Sequence, residues 1–180
     1  MKRVVTGQSR EGKSVFISEG EPPRKVSLSG LPALEFVELW ATDGVPPLPA
    51  NPGDPTRSMT SFVPGSVGTR FRLVRFPPES EIMRALGAGN PVEIMHEFAA
   101  KFPGIGDKLE PQDPAMHTTD TVDYGVVLTG EISLELDDGA TVHLQPGDCV
   151  VQNGTRHGWR NRTDKPCVMA FVLVGAARTA

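Results

Sequence analysis

His117-Thr118-Thr119-Asp120-Thr121-Val122-Asp123-Tyr124-Gly125 and Gly147-Asp148-Cys149-Val150-Val151-Gln152-Asn153-Gly154-Thr155-Arg156-His157-Gly158-Trp159-Arg160-Asn161 each place one histidine in a similar setting in the last third of the chain. Three turn sequences lie between the histidines: Thr129-Gly130-Glu131, Asp137-Asp138-Gly139 and Gln145-Pro146-Gly147-Asp148. Around these turns the sequence reads as short strands over 122–128, 132–136, 141–144, 149–152, 158–161 and 168–174. Asp138-Gly139 is a strong hairpin signal, because both residues accept the positive φ that a tight two-residue turn demands. Short strands at even spacing, joined by Gly/Asp turns, predict an all-β fold, either an antiparallel barrel or a jelly roll.

The upstream sequence adds strands of its own. Residues 14–18 form a short apolar run, while 34–40 and 69–76 alternate in the period of a half-buried strand. Between them, residues 43–57 hold five prolines and two glycines and must be a loop. This loop divides an N-terminal arm of strands and Pro-rich loop, 1–57, from a barrel, 58–180. The arm has too little core to stand alone, so its strands are expected to add to a barrel sheet, of the same subunit or of a partner.

One helix is expected, over 91–101, with Asn90 as its N-cap, Pro91 at the first helical position and Pro103-Gly104 beyond its end. Ile94, Met95, Phe98 and Phe102 share one face, as a stripe packed on a core or a subunit interface does. His96 falls off that stripe and reads as a surface residue.

Composition narrows the partners. The 180 residues carry 22% charged side chains and a net charge of -4. No basic stripe is present to neutralise phosphates, so nucleic acid is not an expected partner. The N-terminus turns polar at once, unlike a signal peptide, and no apolar run nears the roughly 20 residues of a membrane helix. The two cysteines, Cys149 and Cys167, sit in apolar strand-like runs, which reads as two free buried thiols in a cytoplasmic protein.

The two histidine stretches resemble the paired motifs of the cupin family, small β-barrels that often hold one metal ion. In the first motif His117 matches the leading histidine, Thr119 stands where the family has a second histidine, Asp123 replaces a glutamate, and Gly130 follows at the family distance. Pro111 occupies the place of the motif's first glycine. In the second motif Gly147 and the His157–Asn161 spacing match, while 153–156 is one residue short and lacks the proline. The resemblance covers 110–175 and implies a double-stranded β-helix with an N-terminal strand and loop extension.

For the site, the resemblance implies one divalent transition metal (Fe, Mn, Ni, Cu or Zn) held by His117, Asp123 and His157, a set similar to the two-histidine, one-carboxylate triad of non-haem iron oxygenases. Six residues of straight strand span about 20 Å, so the chain must fold back within 118–122 for this set to form. Thr119, Tyr124, Gln152, Trp159 and Asn161 are the expected pocket residues, with a plain core role for Trp159 equally open. His143 and Glu131 read as surface residues. Arg156 and Arg160 are surface charges or contacts for an anionic substrate.

Two functions follow. One is a metal-dependent oxygenase, isomerase, decarboxylase or cyclase acting on a small organic molecule inside the barrel. The other is a non-catalytic small-ligand barrel, with both histidines as hydrogen-bonded pocket residues. A sensor domain of a transcription regulator is disfavoured, since no helix-turn-helix candidate precedes the barrel. The family resemblance also implies a homodimer.

Overall fold

Alternation along the strands builds two antiparallel sheets that face each other across a core. The computed structural model describes residues 1–179. Strands β1 (Arg3–Gln8) and β2 (Ser14–Gly20) form a separate hairpin. The larger sheet has six strands in the order β10 (Cys149–Asn153), β7 (Thr121–Thr129), β12 (Cys167–Gly175), β5 (Thr69–Phe76), β4 (Glu35–Thr42) and β3 (Arg24–Ser27). The smaller has four, in the order β6 (Met116–His117), β11 (His157–Arg160), β8 (Ile132–Glu135) and β9 (Thr141–Leu144). The chain is mostly β, in the arrangement of a double-stranded β-helix.

β12 shows how the pattern becomes a core. Cys167, Met169, Phe171 and Leu173 are buried, while Val168, Ala170, Val172 and Val174 are only half-buried. The inward set meets Val127, Ile132, Leu134 and Leu144 in a single apolar cluster, which removes these side chains from water. That cluster continues into Phe36, Phe62, Phe98 and Phe102, with Phe36 and Phe102 ring centroids 4.7 Å apart.

The N-terminal strands join the sheet of their own chain. β4 pairs with β5 from Glu35↔Arg75 to Thr42↔Thr69, and β3 completes that edge. The Pro-rich segment between β4 and β5 is a loop, with one short 3-10 turn at Pro55–Arg57.

Two helices are present where one was expected. α2 (Pro91–Lys101) has the expected bounds, and the Asn90 side chain accepts a hydrogen bond from the Val92 backbone N–H at 3.0 Å. α1 (Glu79–Ala88) was not foreseen. It begins straight after Pro77-Pro78, and Pro78 offers no side-chain cap. Ile82, Ala85 and Leu86 do follow helical spacing, and Glu79 and Glu81 favour the positive end of the helix dipole. That was the available signal.

The turns behave as their residues require. Asp138 and Gly139 adopt φ of 56° and 72° in the β8–β9 hairpin. Gly130, at φ 72°, leaves no room for a side chain, since a Cβ there would lie 2.4 Å from the Pro166 carbonyl oxygen. The cysteine expectation is half corrected. Both thiols are free and Cys167 is buried, but Cys149 is exposed on the outer side of the edge strand β10. Among the described residues no helix is long and apolar enough to cross a membrane.

Candidate functional site

The two histidines meet. β6 and β11 pair so that His117 lies directly opposite His157, with ring centroids 4.3 Å apart. In each ring Nδ1 faces a backbone carbonyl, Ala115 at 3.3 Å and Thr155 at 2.9 Å. A carbonyl only accepts, so Nδ1 carries the proton in both rings and Nε2 keeps its lone pair. Burial holds both imidazoles neutral: His117 is pushed down to about 4, by desolvation first and by His157 second, and His157 is also lowered.

These rings open into a chamber of about 620 Å³ between the two sheets and the helices. The chain does reverse between His117 and Asp123, because β6 belongs to the small sheet and β7 to the large one. The reversal does not complete the expected triad. Among the described residues no three His, Cys, Asp or Glu side chains come together as a metal site. Asp123 lines the same chamber from the large sheet, where the buried Arg72 is one of the charges acting on it. Its Oδ1 is buried without a hydrogen-bond partner, and burial raises its pKa above the usual carboxylate value. The expected set therefore resolves into a histidine pair and a separate carboxylate.

Other expected pocket residues divide in the same way. Thr119 lines the chamber, buried, its hydroxyl 2.8 Å from that of Thr121. Gln152 lines it with Nε2 bonded to the Thr155 hydroxyl and Oε1 buried and unpartnered. Trp159 lines it too, edge-on to His157 and packed against Phe76 and Phe171.

Two expectations are corrected. Tyr124 is exposed on the outer face of β7, because neighbours along a strand alternate and Asp123 and Gly125 take the inward positions. Asn161 is buried but structural: its Nδ2 donates to Phe76 and Lys165 carbonyls, and its Oδ1 accepts from Thr163. His143 is exposed, 3.0 Å from Glu131. Arg156 is committed to Glu110 and Asp137, and Arg160 to Asp113 and Glu135.

Two parts of the chamber were missed in the sequence. The first is a buried ion pair, Arg72 of β5 and Glu38 of β4, which face each other in register with Nε and Oε1 3.0 Å apart. Arg72 also donates to the Phe62 carbonyl and sits 5.4 Å from that ring's centroid. Arg72 shares strand parity with Val74 and Phe76, so the alternation did mark it as inward-facing. The second is the helical wall: Ile82, Met83 and Leu86 of α1 and Ile94 and Met95 of α2 all line the chamber.

Two facing antiparallel sheets around a histidine-lined chamber define a double-stranded β-helix. Comparison with known proteins agrees. The cupin domain family profile matches residues 108–174. The cupin-domain-containing oxidoreductase srdB of Neurospora crassa is 38% identical over 175 residues, 96% of this chain and 72% of that protein. Phomopsin biosynthesis cluster protein C' of Diaporthe leptostromiformis is 58% identical over 48 residues, 27% of this chain and only 25% of that relative's length. The structure of a cupin 2 conserved barrel domain protein from Salinispora arenicola aligns at a TM-score of 0.39 and 15% identity, over 83% of this chain and 82% of that one. The chain belongs to the cupin family.

Proposed function

We propose that this protein is a metal-dependent oxidoreductase acting on a small organic molecule in the chamber, with His117 and His157 as the protein ligands of a divalent transition metal. The observation that carries this reading is the pair of in-register neutral imidazoles, each with Nδ1 fixed by a backbone carbonyl. Metal-bound histidines are oriented in this way, and neutral imidazole suits Fe, Mn, Ni, Cu or Zn. The relative named as an oxidoreductase supports the reaction class. A bound metal supplies Lewis-acid polarisation of a substrate oxygen or activation of O₂.

The chain's own groups do the rest. Gln152 Oε1, buried and unpartnered, accepts a hydrogen bond from a substrate hydroxyl. Asp123, whose burial favours the protonated form, holds or returns a proton at Oδ1. Trp159 and Phe171 give the reacting part of the molecule an apolar surface.

The test is metal analysis of protein purified without a nickel column, beside His117→Ala and His157→Ala. Near-stoichiometric metal in the parent and its loss in both variants supports the reading. Substoichiometric metal, unchanged by either substitution, refutes it. A second reading, a small-ligand barrel without metal, draws on the absence of a three-ligand cluster among the described residues, and that refuting result favours it.

A further inference from the structure

We propose that the chamber selects an uncharged, predominantly apolar molecule with a single hydrogen-bonding end, and that α1 and α2 form the wall that selects it. The proposal rests on the reading above that the chamber is the binding site.

Charge makes the first argument. Two guanidinium groups line the chamber and both are spent. Arg72 is paired with Glu38 at 3.0 Å, and Arg160 with Asp113 and Glu135. Two further acids, Asp123 and Glu79, also line the chamber, and neither has an ion-pair partner among the described residues. In the metal-free protein a carboxylate-bearing ligand entering this space finds no free cationic side chain and two more acids, and a charge buried without a partner is costly. A hydroxyl meets the opposite situation, because Gln152 Oε1 and Asp123 Oδ1 are buried oxygens without partners.

The helices make the second argument. An amphipathic helix on a protein surface normally buries its apolar side in the core. α1 buries none of its residues, and its Met83 is 68% exposed. Its Ile82, Met83 and Leu86 line the chamber, as do Ile94 and Met95 of α2. Ile82 and Ala85 pack against the core, but the Met83 and Leu86 part of the apolar side borders the open chamber, and a ligand supplies the missing cover there. At about 620 Å³ the chamber falls within the range of small-molecule sites. The polar groups are few and the wall is apolar, so most of the occupant's surface must be hydrocarbon.

Isothermal titration of the full chain, treated with chelator, at pH 8, with 1-decanol, 1-hexanol and decanoate tests this. Decanol should bind at least tenfold more tightly than decanoate, and each methylene from hexanol upward should tighten binding roughly threefold to fourfold. Leu86→Asp and Met83→Asp should each weaken decanol at least tenfold. Val92→Asp, on α2 outside the chamber and 61% exposed, should leave it unchanged. Met83 is exposed enough that its variant folds even if Leu86→Asp does not. Decanoate binding as tightly as decanol overturns the proposal. So does the absence of decanol binding, or decanol binding that survives Met83→Asp. The titration uses metal-free protein, so its failure is distinct from failure of the metal analysis.

Discussion

Replacing Arg72 by Met removes one partner of a buried ion pair and leaves the other in place. Both side chains are almost fully inaccessible, at 2% for Arg72 and 0% for Glu38. Removing one member of such a pair typically costs about 3–5 kcal/mol, because the remaining charge is stranded. For a chain of this size each kcal/mol lowers Tm by about 2–4 °C, so Arg72→Met should lose roughly 6–20 °C. Calorimetric or urea unfolding at pH 7 measures it.

The double variant Glu38→Leu/Arg72→Met strands nothing, and should return to within about 1 kcal/mol of the parent or exceed it. The pH dependence adds a signature. Burial already raises the Glu38 carboxyl, and losing Arg72 removes the charge that most opposes that rise. A carboxyl whose folded pKa exceeds its unfolded one contributes stability below the unfolded pKa and loses it as pH rises through the folded value. The Arg72→Met deficit should therefore shrink as pH falls and Glu38 takes a proton. A loss below about 1 kcal/mol, or a double variant no more stable than the single, refutes the account of Arg72 as the buried partner of Glu38.

Two further outcomes follow from the site and the turns. In metal-free protein His117 should titrate near pH 4 by NMR, well below an ordinary imidazole. Its folded pKa is depressed, so the unfolded chain binds more protons between about 6.5 and 4. Stability should fall with pH across that window by up to about 1.4 kcal/mol per unit, and a midpoint at or above 6.5 contradicts the buried, neutral ring. Gly130→Ala should cost about 1–3 kcal/mol in chemical unfolding, because it combines a left-handed φ with a collision against the Pro166 carbonyl. A neutral effect there would mean that the β7–β8 turn relaxes freely.

The sequence by itself determined the elements whose cause is local. Period-2 alternation set β5 at Thr69–Phe76, Asn90 and Pro91 set the start of α2, and Asp138-Gly139 set the β8–β9 hairpin. The spacing of the two histidine motifs carried the fold class as well, and it singled out both histidines that line the chamber. Everything that depends on residues far apart in the chain was left to the tertiary structure.

Asp123 and His117 are six positions apart, yet they stand on different sheets, and only the placement of those sheets separates the carboxylate from the histidine pair. Glu38 and Arg72 are 34 positions apart and become partners because β4 and β5 are adjacent. Tyr124 and Asp123 share one strand, and which of them faced the chamber depended on the direction in which that strand presents its two sides. The helical spacing of Ile82, Ala85 and Leu86 is local, but the chamber that Ile82, Met83 and Leu86 line exists only once both sheets and both helices are assembled. Backbone preference and hydrophobic period act within a few residues, whereas a binding site is made by strand order and by the burial of charges against one another.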